Sequence, residues 1–176
     1  SVLNSGFAAW VLPVFAGLAE RIGLDEEAAE ARAVAGELRE AIQRDWTGEW
    51  FVRAWGGGKP IGDDVLWLEG QPWAILSGAA TDDQARSLLR TIDERCRQGA
   101  PSGARVKVPA VAEGAPMGPA GEGTNGGMWF AISMTLVWAA ARVDPALGWD
   151  ELRRMTLSAH SDAYPGIWEG TLSGPD

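Results

Sequence analysis

Gly121-Glu122-Gly123-Thr124-Asn125-Gly126-Gly127 runs directly into Met128-Trp129-Phe130-Ala131-Ile132-Ser133-Met134-Thr135-Leu136-Val137-Trp138-Ala139-Ala140-Ala141. Nothing from Gly127 to Ala141 carries a charge. The run is too long for a strand and has no period-two alternation. It reads as a helix over 127–142, apolar on all sides and expected to be the most buried of the chain. The stretch behind it, 147–162, is amphipathic and reads as a more exposed helix.

The same alternation recurs upstream. Residues 5–22 place Phe7, Trp10, Val11, Val14, Phe15, Leu18 and Ile22 at helical spacing on a broad apolar stripe, with Pro13 expected to bend or break it. Gly23 is suited to end that helix, and Asp25 to cap a second over 26–45, with Ala28, Ala31, Ala35, Leu38 and Ile42 inward. Trp50-Phe51-Val52-Arg53-Ala54-Trp55 is extended and ends at Gly56-Gly57-Gly58, a hairpin or loop signal. A third helix is expected over 70–79. A fourth, over 82–97, is capped by Thr81 with Asp82 and Asp83 in its first turn. Residues 99–127 form a long Gly/Pro/Ala-rich excursion with a brief strand-like Arg105-Val106-Lys107-Val108, and 164–176 form a loop. A buried helix, a charged helix and a glycine-rich excursion, repeated about three times, is the pattern of an all-α (α/α) toroid. An ordinary bundle or solenoid would use tighter turns.

Composition narrows the function. The net charge is -9, which leaves no basic surface to track a phosphate backbone, so nucleic acid is excluded as a partner. One cysteine, Cys96, permits no internal disulfide, and one histidine, His160, permits no histidine metal cluster. No signal peptide and no run long enough for a membrane span are read, so the expectation is a soluble, cytoplasmic protein with no membrane partner. There are ten Trp against one Tyr and four Phe. Indoles pack cores, and they also stack on sugar rings. Several of them beside glycine-rich turns shift the reading toward a carbohydrate cleft.

Glycosidic bond cleavage needs a carboxylic acid to protonate the leaving oxygen and a second group to act from the other face. Loop acids available are Glu49, Asp63, Asp64, Glu69, Glu113, Glu122, Asp162, Glu169 and Asp176. Glu122 is the strongest, because its glycine neighbours let backbone approach a ligand just before a helix start. The same segment also reads as a plain capping loop built on Thr124 or Asn125. Glu69 and Gln71, flanking Gly70 before Pro72-Trp73, could meet sugar hydroxyls, or Glu69 could cap the third helix. Arg53, among apolar neighbours, reads first as a salt-bridge residue, and His160 as a packing histidine. No nucleophile elbow, Walker loop or zinc motif is present.

Several of these stretches resemble glycoside hydrolase family 94, which contains the inverting cellobiose and chitobiose phosphorylases and the cyclic β-1,2-glucan synthases. Trp50-Phe51-Val52-Arg53-Ala54-Trp55 with Pro60-Ile61-Gly62 is similar to its W-[FY]-x-R-[AG]-[YFW]…P-[LI]-G segment. Gln71-Pro72-Trp73-Ala74-Ile75-Leu76-Ser77-Gly78 resembles its Q-x-W-A-[VI]-[LI]-S-G helix start. Asn125-Gly126-Gly127 and the helix ending Trp138-Ala139 resemble its N-G-[GA] loop and W-A helix. Residues 1–19 are similar to the helix after its catalytic D-W-N-D, and 164–176 to a Y-P-x-I-W-x-G-x-x-S-G-P-D segment of some members.

The resemblance implies that residues 1–176 are a single partial catalytic domain, truncated at both ends, from an (α/α)6 six-hairpin barrel. Its general acid is expected upstream of Ser1, leaving Glu122 as the internal candidate. Trp50, Arg53, Glu69, Gln71, Glu122, Thr124 and Asn125 are expected to converge at one rim as substrate-binding residues. The implied substrate is an oligosaccharide, with inorganic phosphate as co-substrate and no cofactor. The rest of the barrel and a homodimeric copy are the implied partners. One departure bears on phosphate: where the phosphorylases carry a phosphate-holding His, this chain has Ala131, which leaves water as the alternative nucleophile. A non-catalytic sugar-binding or structural helical domain is the competing class, and the segment before Ser1 discriminates the two.

Overall fold

The computed structural model describes residues 1–112 and 118–165, so Glu113, Glu169, Asp176 and most of the 164–176 segment lie outside the described residues. The described residues are mostly helical, as expected, with four short strands among them. Helix α1 (Val2–Glu20) and α2 (Asp25–Arg44) form the first pair. A hairpin of β1 (Ala54–Gly56) and β2 (Lys59–Ile61) follows. Then come β3 (Leu66–Trp67), α3 (Gln71–Leu76) and α4 (Asp82–Ile92). The remaining elements are β4 (Lys107–Val108), α5 (Phe130–Val143), α6 (Pro145–Arg154) and α7 (Leu157–Ala163).

Helices α1, α3 and α5 lie side by side in that order, with α2 packed on α1 and α6 on α5. The main core gathers Phe51, Leu66, Leu68, Leu88, Leu89, Ile92 and Leu136 between these layers. Close approach within the row rests on Gly6, where a Cβ would sit 2.8 Å from Trp73 Cβ. Phe7, Trp10, Trp73 and Trp138 then interlock across the three helices. Ring centroids are 5.0 Å apart for Phe7–Trp73 and 5.1 Å for Trp10–Trp138, in edge-on geometry.

Helix α1 passes through Pro13 without breaking. Proline leaves the carbonyl four residues earlier, that of Ala9, without its helical donor. Arg39 of α2 supplies one: its Nη2 donates to Ala9 O at 3.2 Å while its Nε donates to Ser77 O at 2.6 Å. Gly23 ends α1 at φ 78° as expected, with Leu24 N–H returning to Ala19 O. Asp25 begins α2 rather than capping it; Leu24 holds the cap position without a side-chain bond. Thr81 caps α4 in a reciprocal box with Gln84, and the β1–β2 turn uses Gly57 and Gly58, both at positive φ, as tight hairpins require.

Three expectations are corrected. Helix α5 is not the most buried element. Met134 and Trp138 on it are exposed, whereas five of the six residues of α3 are buried. An apolar helix is buried only where a neighbour covers it, and the outer face of the α1–α3–α5 row has none among the described residues. The 147–162 helix is two helices, because Thr156 turns its hydroxyl to accept from Ala159 N–H and starts α7 afresh. A membrane-length run does exist. Val2–Glu20 is long and apolar enough to span a bilayer by length and composition, a test that the core helices of soluble proteins also pass. Phe7, Val14, Phe15 and Leu18 are its exposed members.

The long 99–127 excursion is tied down at both ends. Arg97, 3% exposed, donates to Glu151 Oε2 at 2.8 Å and also pairs with Asp93 and Asp150. Glu151, fully buried, spends its other oxygen on Ala104 N–H at 2.8 Å. At the far end, the buried amide of Asn125 accepts from Val111 N–H and donates to Val111 O and Gly118 O, stitching the excursion to itself.

Candidate functional site

The excursion returns alongside β3, where β4 pairs antiparallel with it and sets Trp67 opposite Lys107. Trp67 is the centre of a charged arrangement. The Arg53 guanidinium lies 4.3 Å from its ring centroid and the Lys107 ammonium 5.4 Å from it. Arg53 Nε in turn donates to Glu69 Oε1 at 2.6 Å. A cavity of about 50 Å³, room for one or two waters, is lined by Trp67, Glu69, Val106, Thr124, Trp129 and Ile132. Trp129 is fixed by its Nε1–H donating to Gly123 O at 3.0 Å. Glu69 precedes α3, and Thr124 and Trp129 precede α5. The two starts of adjacent helices therefore meet at this notch.

Of the residues singled out in the sequence, Arg53, Glu69 and Thr124 are brought together here. Gln71 is fully buried and bonded to the main chain of Phe51 and Trp67. Asn125 is fully buried in the stitch described above. Trp50 is 7% exposed, donates from Nε1 to Gly62 O at 2.9 Å, and is covered by the Arg95 guanidinium. These three hold the rim in place, since their polar atoms are already engaged within the protein. Glu122 is exposed in the turn that joins Pro119 to Asn125. Ala131 is exposed in the first turn of α5, and Ser133 Oγ is buried there without a partner. His160 is buried between Phe130 and Tyr164, a packing environment.

Trp67, Lys107 and Trp129 were not singled out from the sequence. The strand-like 105–108 run pointed to β4, but its partner β3 is two residues long and gave no alternation to read. Among the described residues no group of three His, Cys, Asp or Glu could hold a metal ion. The lone thiol, Cys96, is buried, and that burial pushes its pKa up to about 12.

The model of the glycosyl hydrolase 94 superfamily catalytic domain matches residues 1–120. The chain belongs to that superfamily. Its match takes in α1 to β4, hence Arg53, Trp67, Glu69 and Lys107. A curated relative, a 3-O-beta-D-glucopyranosyl-beta-D-glucuronide phosphorylase from Paenibacillus borealis, is 29% identical over 94% of this chain. The chain spans 23% of that relative's length.

Proposed function

We propose that this chain forms part of an (α/α)6 barrel catalytic domain that cleaves or forms β-glycosidic bonds of oligosaccharides, with phosphate as the attacking group. One observation carries the reading: the residues just before α3 and α5 meet at a single notch holding an arginine–carboxylate pair, two indoles and a hydroxyl. That is a surface suited to a sugar, whose ring stacks on indole and whose hydroxyls need both donors and acceptors. The uncovered aromatic face of the α1–α3–α5 row suits an inner barrel layer that further helices would complete. In this reading the general acid comes from polypeptide outside residues 1–176, and such a group contributes about 10²–10⁴-fold in rate.

Ala131 favours a second reading in which water replaces phosphate. A methyl group cannot donate to a phosphate dianion, whose desolvation needs offsetting donors. The test is incubation of the intact protein with β-linked gluco-oligosaccharides and β-glucosyl glucuronides, with and without inorganic phosphate. Phosphate-dependent release of sugar 1-phosphate is expected. Free sugar formed at the same rate without phosphate establishes hydrolysis instead. No turnover of any β-glycoside by the intact protein removes the enzymatic reading and leaves a sugar-binding domain.

A further inference from the structure

Glu151 is fully buried on α6 and lines no part of the notch. Its Oε2 accepts from Arg97 Nε at 2.8 Å and its Oε1 from Ala104 N–H at 2.8 Å. Gly103 makes room for the carboxylate, since a Cβ there would lie 3.0 Å from Oε1. Two residues past Ala104, Val106 reaches both sides of the notch. Its carbonyl accepts from Leu68 N–H at 2.9 Å, extending the β3–β4 ladder to the residue before Glu69. Its N–H donates to Gly127 O at 3.0 Å, two residues before Trp129, and its side chain lines the cavity between them. Arg105, between Ala104 and Val106, donates from its N–H to Cys96 O at 2.9 Å. Residues 104–106 are therefore a spacer between the two helix starts, anchored at one end on a carboxylate. A buried ion pair is a poor device for stability alone. Desolvation of both charges offsets much of their attraction, and apolar side chains of similar volume often hold a fold as well. What an apolar side chain cannot do is accept from a chosen backbone N–H and so fix where Ala104 lies.

We propose that Glu151, held by Arg97, is a positioning residue for the notch: by anchoring Ala104 it sets where Val106 stands, and with it the spacing between Glu69 before α3 and Trp129 before α5. The proposal rests on the reading that this notch faces substrate. Arg97 fixes the orientation of the carboxylate, and Asp93 and Asp150 fix Arg97 in turn. A shift of about 1 Å in a substrate-orienting group can lower turnover by about 10²-fold even when its cause lies far from the chemistry.

Intact protein labelled with fluorotryptophan reports the notch by fluorine NMR, with the Trp67 and Trp129 resonances assigned by their loss in Trp67→Phe and Trp129→Phe. Glu151→Gln keeps the side-chain volume, but its amide cannot accept from both Arg97 and Ala104. Both resonances should shift in it, and turnover of a β-glucoside should fall at least about tenfold. Neither should change in Arg39→Ala, which loosens the fold away from the notch. The double substitution Arg97→Met with Glu151→Leu removes both buried charges. Its melting temperature should match or exceed that of Glu151→Gln while turnover stays low. Turnover restored along with stability would leave the pair a structural role only and overturn the proposal. Unmoved Trp67 and Trp129 resonances, or undiminished turnover, in Glu151→Gln overturn it as well. If neither variant folds, amide exchange of the unmodified protein decides. The N–H groups of Ala104, Val106 and Leu68 are expected to open as one unit, and protection of Ala104 more than about tenfold below the other two overturns the proposal. A protein that turns over no β-glycoside even unmodified loses the enzymatic reading alone, and the resonances and the exchange still decide whether Glu151 positions the notch.

Discussion

Arg39 donates to the carbonyl of Ala9, the group that Pro13 deprives of its helical donor. The two residues are thermodynamically coupled, since each is costly without the other. Arg39→Ala should destabilise the fold by about 1.5–3 kcal/mol, the range for hydrogen bonds to charged donors. In a Pro13→Ala background the helical N–H returns and the same substitution should cost about 1 kcal/mol less. Urea unfolding of the four proteins measures the coupling. Strict additivity would show that the Ala9 carbonyl does not depend on Arg39.

Gln71 holds the rim through opposite polarities: its oxygen accepts from Phe51 N–H at 2.9 Å, and its nitrogen donates to Phe51 O and Trp67 O. Gln71→Glu keeps the shape and turns both donors into acceptors that face carbonyls. A loss of about 3 kcal/mol is expected at neutral pH. The loss should shrink on acidification, because the neutral carboxyl recovers one donor. Equal deficits at pH 7 and pH 4 would contradict this account.

The Arg97 cluster sets a pH dependence. Burial tends to raise the carboxyl pKa of Asp150, but the hydrogen bond from Arg97 and the charges of Arg154 and Arg97 outweigh it, and the net shift is downward from 3.8. A lowered folded value stabilises the protein above the ordinary value, and the stabilisation is lost as pH falls through the folded one. Asp150 is half exposed, so Asp150→Asn should cost at most about 1 kcal/mol near pH 7. The deficit should vanish at pH well below 3.8. Glu151→Ala, which strips a fully buried partner from Arg97, should cost about 3–5 kcal/mol. Chemical denaturation across pH checks both, and an Asp150→Asn deficit that grows in acid would reverse the sign argued here.

Cys96 is fully buried and its thiol is pushed up to about 12. Thiolate is the reactive form, so the native protein should not react with a disulfide reagent at pH 8, while the denatured chain should titrate one thiol. Rapid reaction of the folded protein would place Cys96 at an accessible surface.

Helix order and most helix termini were legible because they follow from local chemistry: Gly23, Thr81 and the Gly57-Gly58 turn act on their own neighbours. Side-chain destinations were less so. Gln71 and Asn125 have the same donors and acceptors whether they face a sugar or a backbone, and only the packing of Phe51 and Val111 against them selects the backbone. Lys107 stands opposite Trp67, forty residues earlier, through a two-residue pairing that leaves no periodic trace. Met134 and Trp138 were read as buried from their apolarity, which cannot tell a helix covered on all sides from one with an open face.

The seam between α1 and α2 is made of Ala16 and Ala19 against Ala28 and Ala31, with Leu12 beside them. Methyl groups at three-residue spacing present nearly the same relief after a slide of one helical turn, about 5.4 Å. Such a seam fixes how near the two helices lie but hardly discriminates one longitudinal alignment from the next. Alignment must come from contacts that do not repeat along the axis, and two are present: the bidentate Arg32–Glu20 pair at one end and the reach of Arg39 at the other. These polar residues act as pins in an otherwise featureless track.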